Sequence, residues 1–158
     1  MLLLFMITLW IDNDGCPKIV REMVLKTSAR LQIPVKIVGN SFWSHPANPL
    51  ITMICVPQTF DAADDYIYEN IRKNDLVISS DVPLASKVVS KGAIAISTHG
   101  EIFNAQNVAE KLATRNLSHE FRGSMPQKSG TFTYNEDHKK KFAAALDKMT
   151  ILLIRESE

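Results

Sequence analysis

The segment Asp12-Asn13-Asp14-Gly15-Cys16-Pro17 follows directly on the apolar run Met6-Ile7-Thr8-Leu9-Trp10-Ile11. A buried strand that ends in two carboxylates one residue apart, then a Gly turn and a helix-opening Pro, delivers negative charge to the rim of a sheet. The same grammar returns at Asp75-Leu76-Val77-Ile78-Ser79-Ser80-Asp81-Val82-Pro83, where an apolar strand again ends in Asp and Pro again opens a helical pattern. Asp61-Ala62-Ala63-Asp64 sets two more carboxylates on the first turn of another helix.

Carboxylates held about 4 Å apart repel by roughly 4 kcal/mol per pair at an effective dielectric near 20, a heavy load for a marginally stable domain. A divalent cation removes that load. Oxygen ligands without a His or Cys cluster favour Mg²⁺ or Mn²⁺ over Zn²⁺, and Mg²⁺ keeps waters for a substrate phosphate and a nucleophile. The expected site residues are therefore Asp12, Asp14, Asp61, Asp64 and Asp81, and the expected chemistry is phosphodiester hydrolysis. The helix starts at Pro17 and Pro83 add backbone N–H groups that can face an anion.

Each of these residues has a plainer role open to it. Asp12 or Asp14 alone suits a turn, Asp61 alone suits an N-cap, and Asp65 and Asp75 read as solvated. Cys16 beside the acids reads as a small helix-entry residue rather than a nucleophile, because no His follows at a readable spacing. His45, His99, His119 and His138 form neither HxH nor HxxxH and read as surface residues. Lys139-Lys140-Lys141 reads as a solvated helix face that can also lean on phosphates. What favours a site is the joint placement of the acids at strand ends.

The elements that must position them alternate between strand and helix. Strands are expected near 6–12, 35–39, 50–56, 75–78 and 93–96, and helices over 17–31, 61–73, 83–91, 105–117 and 136–149. Residues 41–49 read as a Pro-containing loop, residues 118–134 as a long loop with Gly123, Pro126 and Gly130, and the last helix as a terminal brace. This order predicts an open, mostly parallel α/β sheet with flanking helices, since parallel neighbours require crossovers and ligands bind beyond the carboxyl ends of the strands.

The bulk numbers narrow the classes. A chain of 158 residues with 46% hydrophobic content fits one domain, 1–158, with residues 1–5 as a tail. A formal charge of +1 gives no global nucleic-acid signature, so any such contact is local. Two cysteines without CxxC spacing favour a reducing, cytoplasmic setting. The opening apolar run lacks the marks of a signal peptide and is shorter than the roughly 20 residues a membrane helix needs.

With these residues assembled, the chain resembles the YaiI/YqxD family of small bacterial proteins, regarded as members of the PIN-like nuclease fold group. The segments that carry the resemblance are Trp10 to Pro17, Pro34-Val35 through Gly39-Asn40, Val56 to Asp64, and Asp75 to Ala85. The resemblance implies a PIN-like, metal-dependent acidic pocket of Asp12, Asp14, Asp61, Asp64 and Asp81, with Asn40 and Gln58 as neighbouring polar contacts.

Three functions compete. The leading one is a Mg²⁺- or Mn²⁺-dependent phosphodiesterase on RNA or a nucleotide-like substrate, with Lys139, Lys140 and the Arg122–Lys128 loop holding phosphates. The second is a phosphatase with Asp12 as covalent nucleophile and Asp14 as acid. The third is a metal-bound RNA or protein adaptor without turnover.

Overall fold

The computed structural model describes residues 7–41, 48–59, 61–123 and 133–157. Alternation along the central strand β1 (Leu9–Asp12) decides which face each residue serves. Leu9 and Ile11 join one buried cluster and Trp10 joins the other. Asp12 follows Trp10 by two positions, so the pleat directs it to Trp10's face.

Helix α1 (Lys18–Leu31) covers the Leu9 face through Val20 and Val24. It shares that face with α5 (Glu136–Ser157), whose buried Phe142, Ala145, Leu146, Met149 and Leu153 recur at helical spacing. The opposite face is covered by α2 (Ala62–Asn70) through Ala63 and Ile67 and by α3 (Val82–Ser90) through Leu84, Ala85 and Val88. Val108 adds to the same cluster from α4 (Val108–Gly123).

The sheet has six strands in the order β3-β2-β1-β4-β5-β6, the others being β2 (Val35–Gly39), β3 (Ile51–Cys55), β4 (Leu76–Ile78), β5 (Ile94–Ile96) and β6 (Ile102–Phe103). All pairs are parallel except β5 with β6. The chain leaves β1 to build β2 and β3 on one side, then crosses back to lay β4 on the other. That reversal opens a crevice beyond the carboxyl ends of β1 and β4, where open α/β sheets bind ligands.

The open, mostly parallel α/β sheet expected from the sequence is present, and three details differ. A sixth strand, β6, runs antiparallel at the edge; its two residues are too few for any periodicity to show. Helix α4 runs on through Ser118 to Gly123, because Ser within a polar turn does not stop a helix. Helix α5 passes Met149 to Ser157, with the Thr150 hydroxyl donating back to the Leu146 carbonyl at 2.7 Å so that a β-branched residue stays within the helix. Residues 1–5, most of the 41–49 loop and residues 124–132 lie outside the described residues.

Asp75 is the clearest correction. Expected to be solvated, it is fully buried at the amino end of β4. Its carboxylate accepts from the Thr8 N–H at 2.8 Å, the Arg72 N–H at 3.0 Å and the Trp10 indole N–H at 3.1 Å. It thus ties β1 to β4 and supplies the partner that a buried Trp requires.

The β5–β6 turn is pressed onto α5. Gly100 has φ +89°, and a Cβ there would come within 2.5 Å of the Lys141 carbonyl carbon. Only glycine meets both demands. The Ser97 hydroxyl accepts from the N–H groups of His99 and Glu101 and holds the turn in shape.

Candidate functional site

Beyond the carboxyl ends of β1 and β4 lies a cavity of about 320 Å³ lined by Asp12, Asp14, Asp61, Asp64 and Asp81. All five expected acids therefore line one cavity, brought from the end of β1, the start of α2 and the start of α3.

Asp12 is nearly buried, with its Oδ2 accepting from the Ser79 hydroxyl at 2.9 Å. Burial pushes its carboxyl up to about 6 against the pull of that hydrogen bond, and the nearby charges of Asp14 and Asp81 add to the rise. Asp64, half-buried on the first turn of α2, is pushed up to about 7 by burial first, then by Asp81, Asp12 and Asp61, with Lys87 opposing. Two carboxyls are thus driven toward their neutral forms by desolvation and by other acids.

Asp81 serves two purposes. As the N-cap of α3 its Oδ1 accepts from the Leu84 N–H at 3.0 Å, and its own N–H donates to the Ser79 hydroxyl at 3.0 Å. Ser79 thereby couples Asp12 to Asp81. Asp61 occupies the N-cap position of α2, yet its side chain makes no capping hydrogen bond and its backbone sits at φ 62°, ψ 8°. A non-glycine residue held left-handed at a cavity wall stores strain of the kind that accumulates at functional sites. The plain cap reading of Asp61 therefore fails, and its carboxylate is left to the cavity.

Asp14 is exposed on the turn after β1. Arg21 holds that turn from α1, its Nη1 donating to the Cys16 carbonyl at 2.8 Å and to the Asn13 Oδ1 at 3.1 Å. Cys16 is buried, and burial together with Asp12 pushes its thiol up to about 12 although Arg21 opposes. A protonated, buried thiol fits the helix-entry reading and not a nucleophile.

Asn40 and Gln58 are exposed and do not line the cavity; nor do Lys139, half-buried, and Lys140, exposed, on the first turns of α5. Thr59, Ser79, Ser80 and Thr98, hydroxyl residues without a role in the expected site, do line it. Ser80 and Thr98 share a hydrogen bond of 2.9 Å across β4 and β5. Their signal was present in Ser79-Ser80 directly ahead of Asp81, at the same strand end as the acid.

The donor set suits a hard cation: carboxylates and hydroxyls, with two acids raised by burial and by neighbouring acids, whose charge a cation would offset. Among the described residues, no three His, Cys, Asp or Glu side chains are already drawn in to ligand positions. The acids share a cavity but stand apart within it.

The fold and this cavity define an open-sheet α/β protein with an acidic crevice at its chain reversal. The chain belongs to the family described as Uncharacterized BCR, YaiI/YqxD family, whose model matches residues 10–151. It is similar to a UPF0178 protein of Geobacter sp. (strain M21), 41% identical over 148 residues that cover 94% of this chain and 96% of that one. A UPF0178 protein of Geobacter sulfurreducens is 38% identical, covering 93% and 98%, and one of Pseudomonas fluorescens is 41% identical, covering 94% and 98%. No solved structure matches the chain with significance. Among the described residues no helix is long and apolar enough to cross a membrane.

Proposed function

We propose that this protein is a metal-dependent phosphodiester hydrolase of PIN-like type, acting on RNA or a nucleotide-like substrate. The observation that carries the reading is the convergence of Asp12, Asp14, Asp61, Asp64 and Asp81 on one cavity, with Asp12 and Asp64 raised by burial first and by neighbouring acids second. Crowded acids destabilise a domain unless a ligand uses them.

Asp12, Asp81 and one or both of Asp61 and Asp64 are the residues to hold Mg²⁺ or Mn²⁺, with Asp14 as a further ligand or base. The bound ion would supply Lewis-acid polarisation of a phosphoryl oxygen and an activated water. The Ser79 hydroxyl holds the Asp12 carboxylate and the Asp81 backbone N–H at once. The paired Ser80 and Thr98 hydroxyls are placed to meet a phosphate oxygen at the cavity wall. The free thiols Cys16 and Cys55 fit a reducing, cytoplasmic setting.

The test is incubation of the pure protein with labelled single-stranded RNA, a nucleoside monophosphate and a generic phosphate monoester, with Mn²⁺ or with chelator. Slow RNA cleavage that needs Mn²⁺ and disappears in Asp12→Asn is expected. Turnover of the monoester through a trapped aspartyl-phosphate on Asp12 would make the protein a phosphatase. RNA binding without cleavage under any metal would make it an adaptor.

A further inference from the structure

On the other side of the β1 carboxyl end, away from α2 and α3, three rings pack together. The imidazoles of His99 and His138 meet edge to face with centroids 4.5 Å apart, and the Tyr134 ring lies 5.5 Å from His138 and 5.9 Å from His99. By their spacing in the sequence both histidines read as isolated surface residues, yet docking of α5 on the β5–β6 turn makes them neighbours. All three residues are half-buried.

The cluster adjoins the acidic cavity at two points. Thr98 lines the cavity, and its hydroxyl lies 3.5 Å from His99 Nδ1. Cys16 also lines the cavity, and Tyr134 packs against the buried apolar cluster to which Cys16 belongs. The rings are held in place as well. Asn135 and His138 cap each other reciprocally, the Asn135 N–H donating to His138 Nδ1 at 3.2 Å and the His138 N–H donating to Asn135 Oδ1 at 3.0 Å. The Gly100 contact with Lys141 fixes the turn that carries His99.

We propose that His99, Tyr134 and His138 form the seat for the base of a nucleotide whose phosphate lies in the acidic cavity. This rests on the hydrolase reading for its choice of ligand. A phosphate approaching five aspartates gains nothing from them before a cation is bound, so the substrate needs a hold elsewhere. Rings already ordered by their neighbours, inclined to one another by 41° to 89°, offer a π face for one base at little further entropic cost. Every base has a face to lay on them, so such a seat selects nucleotides over simple phosphate esters without reading sequence.

The experiment follows the imidazole proton resonances of His99 and His138, assigned by His99→Gln and His138→Gln, during titration with a nucleoside monophosphate and with ribose 5-phosphate, both in Mg²⁺. The nucleotide is expected to shift both resonances and to bind about tenfold or more tighter than the baseless sugar phosphate, in line with the worth of one stacked base. Tyr134→Ala should remove that preference, and Tyr134→Phe, which keeps the ring, should retain it. If Tyr134→Ala fails to fold, His99→Ala and the nucleotide-to-sugar ratio in the unaltered protein still decide. Equal affinity for the two ligands, or unmoved histidine resonances, overturns the seat.

Failure of the hydrolase reading is separately visible. Base-dependent binding without cleavage keeps the seat and removes the enzyme. Mn²⁺-dependent cleavage of an abasic linker at the rate of RNA keeps the enzyme and removes the seat.

Discussion

Asp12 and Asp75 stand at opposite ends of the same central pair of strands, both out of solvent, and they are solvated by the protein in opposite ways. Asp75 receives three N–H donors, from Thr8, Trp10 and Arg72. Burial raises its carboxyl while those donors pull it back, and no other acid contributes. Asp12 receives two donors, the Ser79 hydroxyl and the Asp14 backbone N–H, and faces the charges of Asp14 and Asp81. A buried carboxylate is thus no sign of function in itself. The number of donors turned toward it and the charges of its neighbours separate a structural tie from a site awaiting a ligand.

The largest effect expected from this contrast is at the structural end. Asp75→Ala would orphan three N–H donors, two of them wholly inside the core, and should destabilise the chain by about 3–5 kcal/mol in urea unfolding. Asp12→Asn, by contrast, removes repulsion and should leave the metal-free chain no less stable. A loss at Asp12 as large as that at Asp75 would erase the distinction.

Next in size is linkage to the ion. If Mn²⁺ binds the folded chain alone, a concentration 100-fold above its dissociation constant stabilises by about 2.7 kcal/mol. Thermal unfolding with and without Mn²⁺ should show this rise in the unaltered protein and its absence in Asp12→Asn and Asp81→Asn. Asn still caps α3 at position 81, so that substitution removes charge without removing the cap. Mn²⁺ stabilisation that persists in both variants would place the ion elsewhere.

The smallest expected effect sharpens the site end. Asp12 at about 6 and Asp64 at about 7 both lie above the ordinary 3.8, so the folded chain holds more protons than the unfolded one between about pH 4 and pH 7. Stability contributed by their neutral forms is full below that interval and is lost as pH rises through it. Metal-free protein should therefore melt at lower temperature at pH 8 than at pH 5, by a modest amount because Asp64 is partly screened by solvent. Asp64→Asn should flatten the slope. An unchanged slope in that variant would assign the pH dependence to other groups.

These asymmetries explain what was legible in the sequence. Asp12 and Asp81 announce themselves because apolar runs end on them, and Asp61 and Asp64 because they open a helix after a strand; topology then carries them to one crevice. Asp75 reads as solvated because an acid just ahead of a strand is ordinarily an exposed turn residue. An acid before a strand lies at the amino end, far from the crevice, and the nearby Trp10 indole was the unused clue to its partner. Ser79 and Thr98 were overlooked because hydroxyls are common at strand ends. The ring cluster was beyond reach, since His99 lies on the β5–β6 turn and Tyr134 and His138 lie at the start of α5, joined only by tertiary packing.

Gly100 carries a consequence for how this chain can vary. With no room for a Cβ against the Lys141 carbonyl, the β5–β6 turn and the first half of α5 fit one another as a fixed pair. A side chain at position 100 would lift α5 from the sheet, and Phe142 and Leu146 would leave the core with it. Drift in the turn is thus permitted only where the helix drifts to match, so these two distant stretches of sequence are bound to change together or not at all.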